Sequence, residues 1–164
     1  MPAAKISPLH SNLQKHGITL PQPAKPAAHY LPVKSHAIGN NTLLFVSGQL
    51  PLKDTTLMQG IVGSTLTIDE AIQAARLCAL HVLAQVNQAC PPTSLATLTC
   101  LQLRGFVACD SQFTQQPKVI DAASQLITQL LEDNGCHARA AVGVSSLPLG
   151  ACVEVEALFA YSAT

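Results

Sequence analysis

Two glutamates two residues apart, Glu154 and Glu156, stand in an otherwise apolar run between Ala151 and Ala160, and Arg139 lies shortly upstream of them. In an extended strand alternate side chains face opposite ways. Val153, Val155, Ala157 and Phe159 therefore share one face, and Cys152, Glu154 and Glu156 the other. Carboxylates along an exposed strand face are commonplace. An arginine nearby gives them a second meaning, because the planar guanidinium fork matches a small carboxylate with two parallel hydrogen bonds. Asp121, Glu154 and Glu156 are the acidic companions open to Arg139, either as a structural ion pair or as the wall of a candidate anion pocket. The residue types by themselves lead no further than that pocket.

Other reactive side chains are less organised. Six cysteines (Cys78, Cys90, Cys100, Cys109, Cys136 and Cys152) include no CxxC pair, and they read as reduced thiols packed as small apolar residues. His137 adjoins Cys136, but neighbours in a loop seldom converge on one metal or one nucleophilic site without further partners. Asn40-Asn41-Thr42 matches a glycosylation acceptor that carries meaning only on a secretory route.

The elements that must position these groups follow from periodicity. Leu43 to Ser47 is a short apolar run between Gly39-Asn40-Asn41 and Gly48 and reads as a buried strand. Residues 50–66, with Pro51, Gly60 and Gly63, read as a loop with short extended pieces. Thr67-Ile-Asp-Glu70 is a capping box that starts a helix, and an apolar stripe through Ile72, Ala75, Ala79 and Val86 carries the helix up to Pro91-Pro92. A strand over Leu98–Val107 puts Leu101 and Leu103 on one parity, Gln102 and Arg104 on the other. Pro117 suits the first turn of a second helix, whose end Asn134-Gly135 would mark with a left-handed residue. Strands over Arg139–Ser146 and Ala151–Ala160 close the chain. Strands at both ends with two long helices between them indicate an α+β domain with both helices on one face of the sheet.

Residues 1–28, with five prolines (Pro2, Pro8, Pro21, Pro23 and Pro26), read as an extended N-terminal arm, and residues 29–162 as a single domain. Charged residues make up only 11% of the chain, nine basic against nine acidic, so no strong field exists to attract nucleic acid or an anionic membrane. So few charges on a chain that is 48% hydrophobic imply that partner subunits cover part of its surface. No run approaches the length of a membrane span, and the N-terminus lacks the apolar core of a secretory signal, which implies a cytoplasmic protein. The leader before Asp54 carries Lys5, Lys15 and several serines but no arginine, so mitochondrial import is the minor alternative.

Residues 137–148, His-Ala-Arg-Ala-Ala-Val-Gly-Val-Ser-Ser-Leu-Pro, with Val-Glu-Val-Glu-Ala at 153–157, resemble the C-terminal signature of the RidA/YjgF superfamily. Leu-Phe-Val-Ser-Gly-Gln-Leu-Pro at 44–51 resembles its N-terminal signature, and the likeness extends from about Tyr30 to Phe159. The resemblance implies a chorismate-mutase-like fold, a homotrimeric barrel with pockets at the subunit clefts, and hydrolysis of reactive 2-imino acids to 2-keto acids and ammonia. By position it implies that Arg139 clamps the substrate carboxylate and Glu154 orients the attacking water. The backbone at Ala141 and Gly48 would line the pocket, Tyr30 would close it, and Asp121 would stand where the family has an asparagine. Neither a cofactor nor a metal is implied, because an iminium carbon is already electrophilic and positioning supplies much of the rate.

Departures from the family pattern point to a divergent YjgF-like subgroup. Ala141 replaces a frequent cysteine, and Gly143 a usual glutamate. Asp121 adds a charge that can pair with Arg139 and compete with a substrate carboxylate. The alternative to an enzyme is therefore a trimeric binding module for small carboxylates such as 2-keto acids. A ribonuclease reading has little support in a neutral chain with three arginines and no aromatic stacking platform.

Overall fold

The computed structural model describes residues 7–25 and 28–162. Residues 1–6 and 26–27 of the expected arm lie outside the described residues. In chain order the elements are α1 (Pro8–Lys15), β1 (Val33–Ile38), β2 (Asn41–Gln49), a small hairpin of β3 (Leu52–Lys53) and β4 (Thr56–Leu57), α2 (Ile68–Ala89), β5 (Thr99–Ala108), α3 (Gln116–Leu131), β6 (Ala138–Val144) and β7 (Val153–Ser162).

The capping box forms as expected. The Thr67 hydroxyl accepts from the Glu70 amide at 3.3 Å, and the Glu70 carboxylate accepts from the Thr67 amide at 2.8 Å. α2 then runs to Ala89, just ahead of Pro91-Pro92. α3 begins with Pro117 in its first turn. Its end departs from expectation, since the residue with positive φ is Glu132 (φ 55°), followed by a short 3-10 turn over Glu132–Gly135. Gly135 is needed there for a different reason. A Cβ on it would lie 2.6 Å from the backbone of Ile127 and Thr128.

The main sheet has the strand order β1-β2-β7-β5-β6. Every pairing is antiparallel except β5 with β6, which is parallel and needs α3 as its crossover. Leu44, Val46, Leu103, Val107, Val153, Val155 and Phe159 are buried on one face beneath α2 and α3. Gly105 lets α3 approach closely, for a Cβ there would run into the Ile120 side chain. The parity expected for β5 breaks at a bulge between Cys100 and Gln102, so Cys100 is buried while Leu101 is 40% exposed. Cys152, assigned to the face of the glutamates, is likewise buried, just ahead of β7.

The arm is not extended throughout. Ser7 caps α1 by accepting from the His10 amide at 3.3 Å, Pro8 occupies the first turn where its missing N–H costs nothing, and Leu9 and Leu13 bury one turn apart. Buried Asn12 donates to the Leu130 carbonyl at the end of α3 at 3.2 Å, and His10 Nε2 lies 2.8 Å from Asn87 Oδ1 on α2. α1 thus makes a third helix, packed on α3, beyond the two expected. Among the described residues no helix is long and apolar enough to cross a membrane.

Candidate functional site

β5 separates the two groups the sequence singled out. Its Leu103 is paired on one side with Arg139 of β6 and on the other with Ala157 of β7. Directly paired residues share a face, so Arg139 points to the helix side of the sheet with Leu103. Ala141 and Gly143 follow it at the same parity. Glu154 is paired with Phe106 and Glu156 with Arg104, which places both carboxylates on the opposite, open face. Neither glutamate therefore serves as a companion of Arg139 within one chain. Glu156 instead pairs with Arg104, Nε to Oε1 at 2.7 Å.

On the helix side, Arg139 Nη1 donates to Asp121 Oδ1 at 2.6 Å and to Ser124 Oγ at 3.2 Å, with the Arg139 side chain 24% exposed and that of Asp121 51% exposed. Asp121 and Ser124 are three residues apart on α3 and so lie on one side of the helix. Among the described residues, Nη2 and Nε of Arg139 make no hydrogen bond to the chain, which leaves two donors of the fork for a ligand. His137, in the loop ahead of β6, completes the group. Its Nε2 is 3.0 Å from Ser124 Oγ, and its Nδ1 is 2.6 Å from the Gly135 carbonyl oxygen.

Tyr30 and Gly48 line a separate cavity of about 340 Å³, with Lys25, Leu50, Leu57 and Leu149 among its walls. Gln85 on α2 anchors the chain entering this cavity by donating to the Ala24 carbonyl at 2.7 Å. The Glu154 carboxylate sits over Gly48, so closely that a Cβ on Gly48 would fall on its Oε1. Burial, and then the neighbouring Glu156, raise the Glu154 carboxyl above its ordinary range. A carboxylate so perturbed, against a residue that lines a cavity, is a candidate for proton transfer. The predicted residues thus fall into two groups: Tyr30, Gly48 and Glu154 in one, Arg139, Asp121 and Ala141 in the other.

Sequence reasoning missed Ser124 and set His137 aside. The spacing of Ser124 from Asp121 on a helix was available as a signal. The approach of His137 depends on the 3-10 turn and was not. Among the described residues no group of three or more His, Cys, Asp or Glu side chains is placed to hold a metal ion.

An α+β sheet with a parallel edge strand reached through a helix, and an arginine facing that helix, defines the architectural class. Residues 10–161 match the family described as "YjgF/chorismate mutase-like, putative endoribonuclease", and the chain belongs to that family. It is 42% identical over 150 residues to Protein TCP17 of Trypanosoma cruzi, which spans 90% of this chain and 91% of that protein. The crystal structure of Atu1372 from Agrobacterium tumefaciens, a protein of unknown function, is 40% identical and superposes with a TM-score of 0.80 over 94% of each chain. E. coli TdcF with bound serine shares the fold at 19% identity and a TM-score of 0.56, over 87% of this chain and 94% of that one.

Proposed function

We propose that the protein hydrolyses reactive 2-imino acids to 2-keto acids and ammonia in a site completed between subunits of a homotrimer. The observation that carries this reading is the separation of the two residue groups by the sheet. Arg139 offers free guanidinium donors on one face, Glu154 a perturbed carboxyl on the other, and only a second copy could bring them to one substrate. The open sheet face supplies a surface for that copy, since Phe45 and Val142 remain 48% and 45% exposed on it.

In this arrangement Nη2 and Nε of Arg139 hold the substrate carboxylate as a bidentate pair. Glu154 of the neighbouring copy accepts the proton of the water that attacks the imine carbon, then returns it to the departing nitrogen. A raised carboxyl suits both steps, because its proton affinity lies closer to neutral pH. The backbone at Gly48 gives room for the Glu154 carboxylate, and Tyr30 borders the adjoining cavity.

Asp121 supports a second reading. It already engages Arg139 at 2.6 Å and opposes the approach of a further anion, as expected of a module that binds 2-keto acids weakly and reversibly without turnover. The serine bound by TdcF is compatible with a small carboxylate ligand in either case. The two readings separate in an assay of ammonia release from 2-iminobutanoate and 2-iminopropanoate, generated in place by an amino acid oxidase or a threonine dehydratase. Turnover by the native protein that falls about 100-fold or more in both Arg139→Ala and Glu154→Gln is the expected result. Native protein that is folded and trimeric yet no faster than the spontaneous reaction, while binding 2-keto acids through Arg139, supports the binding module instead.

A further inference from the structure

Ser124, His137 and the Gly135 carbonyl form a chain of hydrogen bonds that the deaminase reading does not use. A carbonyl oxygen can only accept, so at 2.6 Å the Gly135 oxygen fixes the proton of neutral His137 on Nδ1. Nε2 then carries the lone pair, and the Ser124 hydroxyl, 3.0 Å away, donates to it. From the other side Arg139 Nη1, also bound to Asp121, donates to Ser124 Oγ at 3.2 Å. A hydroxyl whose proton faces an imidazole of fixed tautomer and whose oxygen faces a guanidinium is activated at both ends: the base removes the proton, and the cation stabilises the negative charge left behind. The relation of nucleophile, base and orienting group is that of a hydrolytic triad with a backbone carbonyl as its third member. Ser124 and His137 are both partly accessible, at the α3–β6 rim where Asp121 is half exposed.

We infer that Ser124 is a nucleophile activated by His137, able to accept short acyl groups from activated esters or thioesters. Ser124 Oγ bonds to the acyl carbon as its proton passes to His137 Nε2. The ester bond breaks, and the leaving alcohol or thiol takes that proton. Water then attacks the acyl-serine, giving one proton to His137, which returns it to Ser124 Oγ as the free acid departs. The balance needs only the ester and water.

The test is incubation of the full-length protein with p-nitrophenyl acetate, following p-nitrophenolate and mapping the acetylated peptide by mass spectrometry. The expected result is a burst of about one equivalent, with the acetyl group on Ser124. Ser124→Ala loses the burst, and His137→Ala slows it about 100-fold or more. Cys136 is an exposed thiol and the obvious competitor. Acetylation confined to Cys136 or to lysines, or a burst unchanged in Ser124→Ala, overturns the inference. Should Ser124→Ala fail to fold, mapping on the native protein still decides. Imino acid turnover is read separately: deaminase activity without Ser124 acylation sinks this inference alone, and acylation without deaminase activity sinks only the earlier proposal.

Discussion

The two faces of the sheet solve the same problem in different ways. On the helix side the chain buries Leu44, Leu103, Val155 and Phe159 completely beneath its own α2 and α3. On the open side Phe45 and Leu158 lie beside the Arg104–Glu156 ion pair and Val142 stands exposed on β6, and among the described residues no element covers them. Over β2, β7 and β5 the first face is covered within one polypeptide. The second combines large apolar side chains with a paired arginine and carboxylate, which supports the proposal that another copy meets it. If the chain assembles as proposed, fold stability and assembly fall on opposite sides of one layer, and each can be perturbed alone.

The largest expected effect falls on the covered face. Leu103→Ala leaves a cavity under α2 and α3 and lowers stability by about 2–5 kcal/mol in chemical denaturation. Phe45→Glu on the open face should alter the unfolding of a single chain far less, yet shift light scattering from trimer toward monomer. A monomeric native protein, or an unchanged trimer in this variant, would break the assignment of that face to assembly. Arg104→Ala removes an ion pair whose side chains are 55% and 30% exposed, so it should cost no more than about 1 kcal/mol in isolation. The smallest effect concerns Glu154. Its folded-state carboxyl is raised above the unfolded value, so the ionised form costs stability at neutral pH, and that cost fades as pH falls through the raised value. Glu154→Gln should therefore raise Tm slightly at neutral pH and leave it unchanged in acid.

Much of this could be read in the amino-acid sequence wherever a local rule decides. The capping box at Thr67, the stop before Pro91-Pro92, Pro117 in the first turn of α3 and the alternation along β7 each depend on neighbours a few residues away. What failed needed distant information. α1 is hidden among five prolines that favour an extended arm, although Pro8 stands where a helix tolerates it. The separation of Arg139 from Glu154 depends on the register in which β6 and β7 pair with β5, which no spacing along the chain encodes. Of the three companions the residue types leave open to Arg139, only Asp121 pairs with it, from the helix that precedes its strand. The Ser124–His137 contact is not legible in the sequence, because it depends on where the turn after Glu132 leaves the chain.

β6 has one neighbour in the sheet, and that ladder is parallel, closed only after the whole of α3 has folded across it. Such a pairing gathers its contacts late, when the entropy of closing the intervening chain has already been spent. As an edge strand, like β1 at the opposite end of the sheet, it has less to lose by opening than the strands between them, and its amides should exchange faster than theirs in native-state hydrogen exchange. Arg139 therefore sits on an edge strand, so a substrate clamp of the kind proposed would be carried by the margin of the sheet, while β2, β7 and β5 are each held by a neighbour on both sides.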